Sequence, residues 1–123
     1  MTDKFVARGD VVNFIAAGTI LSGAVVVMQN TLGVALKGGV SGETIPVAIE
    51  GVFELPKVPA ATFIVGEKLI FDISAAAGAG EFDDNAATPA AGDLTGAAIA
   101  MRVGLNAETT CLVKLTPGNV TKT

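Results

Sequence analysis

Two spaced glutamates, an acidic loop, a glycine-rich loop and one cysteine are the parts of this chain that could do chemistry. Glu50 and Glu54 sit in "EGVFELPK" (residues 50–57). Four residues apart on a strand, their side chains project to the same face about 13 Å apart. A glycosidase pair needs about 5–9.5 Å, so they read as a solvated face. "EFDDN" (Glu81–Asn85) gathers three acids and an amide, the hard oxygen ligands calcium takes. It lacks the spaced D-x-D-x-D-G pattern of an EF-hand, and a polar turn is the simpler reading; whether it binds a divalent ion stays open at this point. "GVALKGGV" (33–40) spaces Gly33 and Gly38 as a phosphate-binding loop does, but Gly39 and Val40 stand where Lys and Ser/Thr belong. Cys111 lies in an apolar run and the chain has no histidine. Without histidine, Ser-His-Asp and Cys-His catalysis and His-metal sites are out, and Cys111 reads as a small core residue. "NVT" (119–121) matches a glycosylation sequon only by chance in a chain read as lacking a secretion signal. No residue is assigned a catalytic, cofactor-binding or metal-binding role, and the expectation is a protein that is not an enzyme and uses no cofactor.

The elements that would position such groups are built from small residues. The 123-residue chain holds 20 Ala and 15 Gly, with six Phe as its only aromatics. Small side chains bury little area each, at about 25 cal/mol per Å², so the chain would gain from a partner or an oligomer that covers more surface. Net charge is −4, with only two arginines and six scattered lysines. Affinity for nucleic acid rests on clustered cations, so no direct nucleic-acid role is expected. No apolar run approaches the roughly 20 residues of a membrane span, and "MTDKFVARGD" has no hydrophobic signal core.

Hydrophobicity alternates with period two, the mark of half-buried strands. From Thr44 to Pro56, Ile45, Val47, Ile49, Gly51, Phe53 and Leu55 fall on one face. Shorter strands are predicted over 10–16, 24–30, 32–37, 67–74, 98–105 and 109–116, the last two joined by "NAE" as a hairpin loop. Ser74–Gly80 is low-complexity, and Phe82–Gly96 reads as a loop with at most one helical turn. No repeat of fixed period is visible. The fold class expected is all-β: a small antiparallel β-sandwich or barrel, jelly-roll-like, with Gly/Ala-rich loops. Residues 1–123 form one β domain, with 1–8 as an N-terminal arm and 118–123 as a tail.

A straight strand from Ile45 to Leu55 would extend about 33 Å, close to the full width of a domain this size. The strand must bend, and Gly51 is the natural place for a bulge or a close backbone crossing. Ile49 and Phe53 are expected to be buried on either side, with Glu50 and Glu54 facing water or a partner.

"GDVVNF" near the start, "EGVFELPK" in the middle and the closing pair "AAIAMRVGL…TTCLVKL" resemble the capsid cement (decoration) proteins of tailed bacteriophages. The central block is the most specific part of a resemblance that covers nearly the whole chain. Members of that family often carry a mistaken RecA/RadA-like recombinase label, which a chain without an ATP-binding loop does not support. The resemblance implies a structural virion protein, made in the host cytoplasm, that docks as a homo-oligomer (dimer or trimer) on the outer surface of the phage head. Its partner would be the major capsid protein, whose subunit contacts it would stabilise, without direct nucleic-acid or membrane contact. Lys4, Phe5 and Val6 are the candidate capsid contact, as a strand added to an exposed edge; an ordinary first strand of the domain's own sheet is the alternative. A head-fibre or tail component, a nucleic-acid or recombination factor, and a small enzyme with an unrecognised site are the rival readings.

Overall fold

A computed structural model describes residues 8–123. Lys4, Phe5 and Val6, with most of the proposed arm, lie outside the described residues. The regular structure of the rest is almost entirely strand: β1 (Val11–Ile15), β2 (Val25–Met28), β3 (Thr31–Ala35), β4 (Thr44–Ala48), β5 (Val52–Pro56), β6 (Lys68–Asp72), β7 (Glu81–Asp83), β8 (Leu94–Ala100), β9 (Thr110–Leu115) and β10 (Thr121–Lys122), with one 3₁₀ turn at Ala76–Gly78. They form two antiparallel sheets, ordered β1-β4-β3-β2 and β5-β9-β8-β6-β7, with β10 on β8. The all-β sandwich expected from the alternation is the architecture observed.

The two sheets are the same unit built twice. Each follows a Greek-key order in which the first strand lies beside the last of three hairpin-linked strands. β1, β2, β3 and β4 correspond to β5, β6, β8 and β9. The correspondence extends to single hydrogen bonds. Gly23 N–H donates to Ala35 O (2.7 Å), and Gly66 N–H to Ala100 O (2.7 Å). Ala35 N–H donates to Ala24 O, and Ala100 N–H to Glu67 O. Leu36 N–H reaches Pro46 O as Met101 N–H reaches Leu112 O. The segments "ALKGGVSGET" (35–44) and "AMRVGLNAET" (100–109) are the sequence trace of this duplication. The sequence shows no repeat of fixed period, as read above, because the two copies are spaced unequally. β2 and β3 are joined by two residues, whereas 21 residues, carrying β7, separate β6 from β8, so the copies never fall into a fixed period.

Interior positions correspond as well. The first unit closes around Val26, Ala35, Ile45 and Val47, with Phe14, Ile20 and Ile49 packed against them. In the second, Leu69, Ala100, Cys111 and Val113 take the equivalent places, with Leu55, Phe63 and Leu115. Cys111 thus fills the place of Ile45, as a core residue should. Leu32 and Val34, on the other face of β3, join the second unit's core and fasten the two sheets together. Burying each such side chain contributes about 1.5–3 kcal/mol.

Each unit launches its strands from the same turn. In Val40–Glu43, Ile64–Glu67, Ala90–Asp93 and Leu105–Glu108 the fourth residue's N–H donates to the first residue's carbonyl. The third residue has positive φ (Gly42 88°, Gly66 90°, Gly92 92°, Ala107 74°), as a type II turn requires. In all four, the closing acid accepts the first residue's N–H: Glu43 at 2.7 Å, Glu67 at 3.4 Å, Asp93 at 2.9 Å and Glu108 at 2.6 Å. Much of the chain's acidity is therefore spent on tying turns.

The bend expected at Gly51 exists, with φ +124°, but it is not a bulge within one ladder. β4 belongs to the first sheet and β5 to the second, so Gly51 is the crossing between units. Ile49 and Phe53 are half-buried, not fully buried, because each sits at the margin of its own unit's core. Three loop readings also change. Phe82, inside the expected loop, is a buried strand residue whose ring packs edge-on against Phe71 at 5.0 Å. Residues 121–122 of the expected tail pair with β8. The "NAE" hairpin gives way to a longer loop because Gly104 pairs with Phe63, ending β8 at Ala100.

That pairing supplies a test. A Cβ on Gly104 would lie 2.5 Å from the Phe63 ring, so Gly104→Ala should cost about 1–3 kcal/mol by overpacking. Adding Phe63→Leu should recover part of the loss in a double-mutant cycle followed by thermal melting.

Candidate functional site

The acidic candidates do not converge. Glu50 and Glu54 are exposed and separated by the turn at Gly51. Glu54 meets only Arg102, at 3.7 Å on the surface, an ion pair of little energetic weight. In the 81–85 loop, Asp83 Oδ1 accepts from Asp84 N–H and Asp84 Oδ1 from Ala86 N–H. Burial holds the Asp83 carboxyl above its usual pKa, and the neighbouring Asp84 and Asp72 charges push the same way. Among the described residues, no three His, Cys, Asp or Glu side chains come together as a metal-ligand group. Gly33 is a strand residue at a close crossing: an added Cβ would run into Val47 and approach Ala48 O to 2.6 Å. Its amide is not part of an open anion cradle.

Sequence reasoning passed over Lys57, the last residue of "EGVFELPK". It is fully buried, and its Nζ donates to Val58 O (3.0 Å), Pro59 O (3.0 Å) and Glu108 O (3.3 Å). The three donors of an ammonium match the three carbonyls. Its own N–H donates to Thr109 O, and Ala107 N–H donates to Pro59 O. Lys57 therefore clamps the strand that leaves β5 to the loop that enters β9. A lysine at a strand end between two prolines carries no pattern that announces burial. The first unit has buried Ala16 at the equivalent position.

The loops ahead of the second and fourth strands of each unit carry a matched set of exposed apolar side chains. In the first unit, Ile20 and Gly39 form an isolated bridge, exchanging hydrogen bonds of 2.8 and 2.9 Å. In the second, Phe63 and Gly104 do so at 3.2 and 2.9 Å. The bulky member turns inward, so the residues beside the bridge point out. Leu21 is 72% exposed, Leu36 48% and Val40 56%; their equivalents Ile64, Met101 and Leu105 are 69%, 38% and 58%. Each tip also carries one exposed cation, Lys37 or Arg102. On the order of 300 Å² of apolar surface stands at each tip, the scale of patches that are often functional on monomers. The sequence signal was present in the paired "ALKGG" and "AMRVG" segments, where apolar residues flank a glycine.

Two measurements follow from the buried groups. Lys57→Met keeps the stem but removes three hydrogen bonds from an ammonium and leaves Glu108 O without its donor, so it should destabilise by about 1–3 kcal/mol, read as a lowered denaturant midpoint. Burial pushes the Cys111 thiol up to about 12, against an unfolded value near 9. Its stabilising contribution is complete below pH 9 and lost as pH rises from 9 towards 12. Stability should therefore fall less steeply across that interval in Cys111→Ala than in the parent, as followed by urea melts.

Neither curated proteins nor solved structures gave a match. The family model for phage cement protein matches residues 6–115, nearly the whole chain. The chain belongs to the phage cement protein family, a family of structural, virion-associated capsid proteins.

Proposed function

We propose that this protein binds the outside of the phage head and stabilises contacts between neighbouring major capsid subunits. The family match supports the capsid as partner. The observation that carries the finer reading is the matched pair of apolar tips, Leu21–Leu36–Val40 and Ile64–Met101–Leu105. A tie between two like subunits needs two like contacts, and the duplicated unit supplies them. Each tip falls well below the roughly 800 Å² per partner of a stable interface, so both must engage. Linked contacts then gain through effective concentration.

Binding the assembled shell and not free subunits stabilises the shell by mass action. Lys4, Phe5 and Val6 remain a proposed additional contact, and self-association into a dimer or trimer would multiply the number of tips per assembly. An acidic, cation-poor surface suits a position outside the shell, away from packaged nucleic acid.

The test is co-sedimentation with undecorated heads. The pair Leu21→Ser/Val40→Ser and the pair Ile64→Ser/Leu105→Ser should each weaken binding at least tenfold, with melting unchanged because all four side chains are exposed. Wild-type protein that stays in the supernatant at saturating concentration would sink the capsid reading.

A further inference from the structure

The duplicated units differ in what lies between their first and second strands. In the second, β7 lies between the first and second strands of the unit: it pairs antiparallel with β6, Phe71 opposite Phe82, and meets the end of β5 through a parallel bridge between Lys57 and Phe82. Val58 N–H donates to Phe82 O at 2.9 Å. Phe82 is completely buried. In the first unit no described strand takes that position. β1 pairs only with β4 and β2 only with β3, and the edges of both face an open seam.

The seam is a cavity of about 410 Å³. Phe14, Ala17, Ile20, Val26 and Val27 line it, as do Gly78 and Ala79 from the β6–β7 connection. Ala17 and Val27 are the equivalents of Val58 and Ile70, which flank β7 in the second unit. The molecule thus displays what such a seam accepts: an extended segment of about three residues, antiparallel to the second strand, with one aromatic or large aliphatic side chain turned inward.

We propose that the β1–β2 seam receives an extended segment of the major capsid protein as an added strand. This rests on the capsid reading above and specifies a second mode of attachment beside the apolar tips. Strand addition draws affinity from main-chain hydrogen bonds and specificity from the pocket for alternate side chains. It also covers two strand edges that otherwise invite pairing. The partner follows from the phage cement protein family, which implies binding to the capsid.

The experiment uses the full chain and undecorated heads of the same phage, with two readouts. Hydrogen exchange compares free and head-bound protein, and head binding compares the parent with Gly18→Leu and with Val27→Ser. Gly18 lines the seam, a Cβ there meets nothing within 4 Å and its φ is not left-handed. Leucine therefore adds bulk at the rim of the seam without backbone strain. The expected result is slowed exchange at Ala24–Met28 on binding, tenfold or greater loss of affinity in Gly18→Leu, a smaller loss in Val27→Ser, and parent-like melting in both. Parent binding with unchanged exchange at Ala24–Met28 and unaltered affinity of both variants overturns the seam while leaving the capsid reading intact. Slowed exchange that grows with protein concentration in the absence of heads assigns the seam to a second copy of this chain and overturns the proposal. A parent that fails to bind heads removes the capsid reading and the seam's capsid partner together.

Discussion

The close approach of backbone to backbone at two glycines closes each half of this protein. Gly39 lies where a Cβ would meet Ile45 at 2.7 Å, and Gly104 lies beneath the Phe63 ring. Each glycine exchanges two hydrogen bonds with a bulky residue from the loop ahead of the next strand. Without a side chain at these positions the loops can sit directly on the core. That contact forces the neighbours Leu21, Val40, Ile64 and Leu105 outward, so core packing and surface chemistry have one cause. Turns with positive φ and acid staples then set β4, β6, β8 and β9 into place. Lys57 adds a further clamp in the second unit only, where a longer loop must be held.

Much of this was legible in the sequence. Period-two alternation marked the run that became β4 and β5, whereas β8, the longest strand and buried on both faces, was expected at 98–105 and lies at Leu94–Ala100. The limit on strand length located the break at Gly51 before any coordinates. Cys111 was read correctly because an isolated thiol among Leu and Val, in a chain without histidine, has little chemistry open to it.

The rest was hidden for identifiable reasons. The repeat escaped because β7 and its loops displace the second copy, and because its shared residues are mostly small or interchangeable, Leu36 for Met101 and Lys37 for Arg102. β7 itself is three residues long, with acids on both sides of Phe82. It becomes a strand through tertiary pairing, which local pattern does not encode. Lys57 was invisible because burial of a lysine depends on carbonyls from Val58, Pro59 and Glu108, the last 51 residues away in sequence. The exposed tips looked like ordinary apolar letters until the bridges showed which way each side chain turns.

In the proposed reading, a duplicated unit lets a chain poor in charge and large side chains serve as cement. Neither tip alone offers enough area for a lasting contact, and two equivalent tips would suit a surface that repeats its own binding site. The most direct measurement is an electron cryomicroscopy map of the decorated head at side-chain resolution. The tip of Leu21, Leu36 and Val40 and the tip of Ile64, Met101 and Leu105 should contact different major capsid subunits. A map in which either tip faces solvent, or both rest on one subunit, would contradict the bridging role.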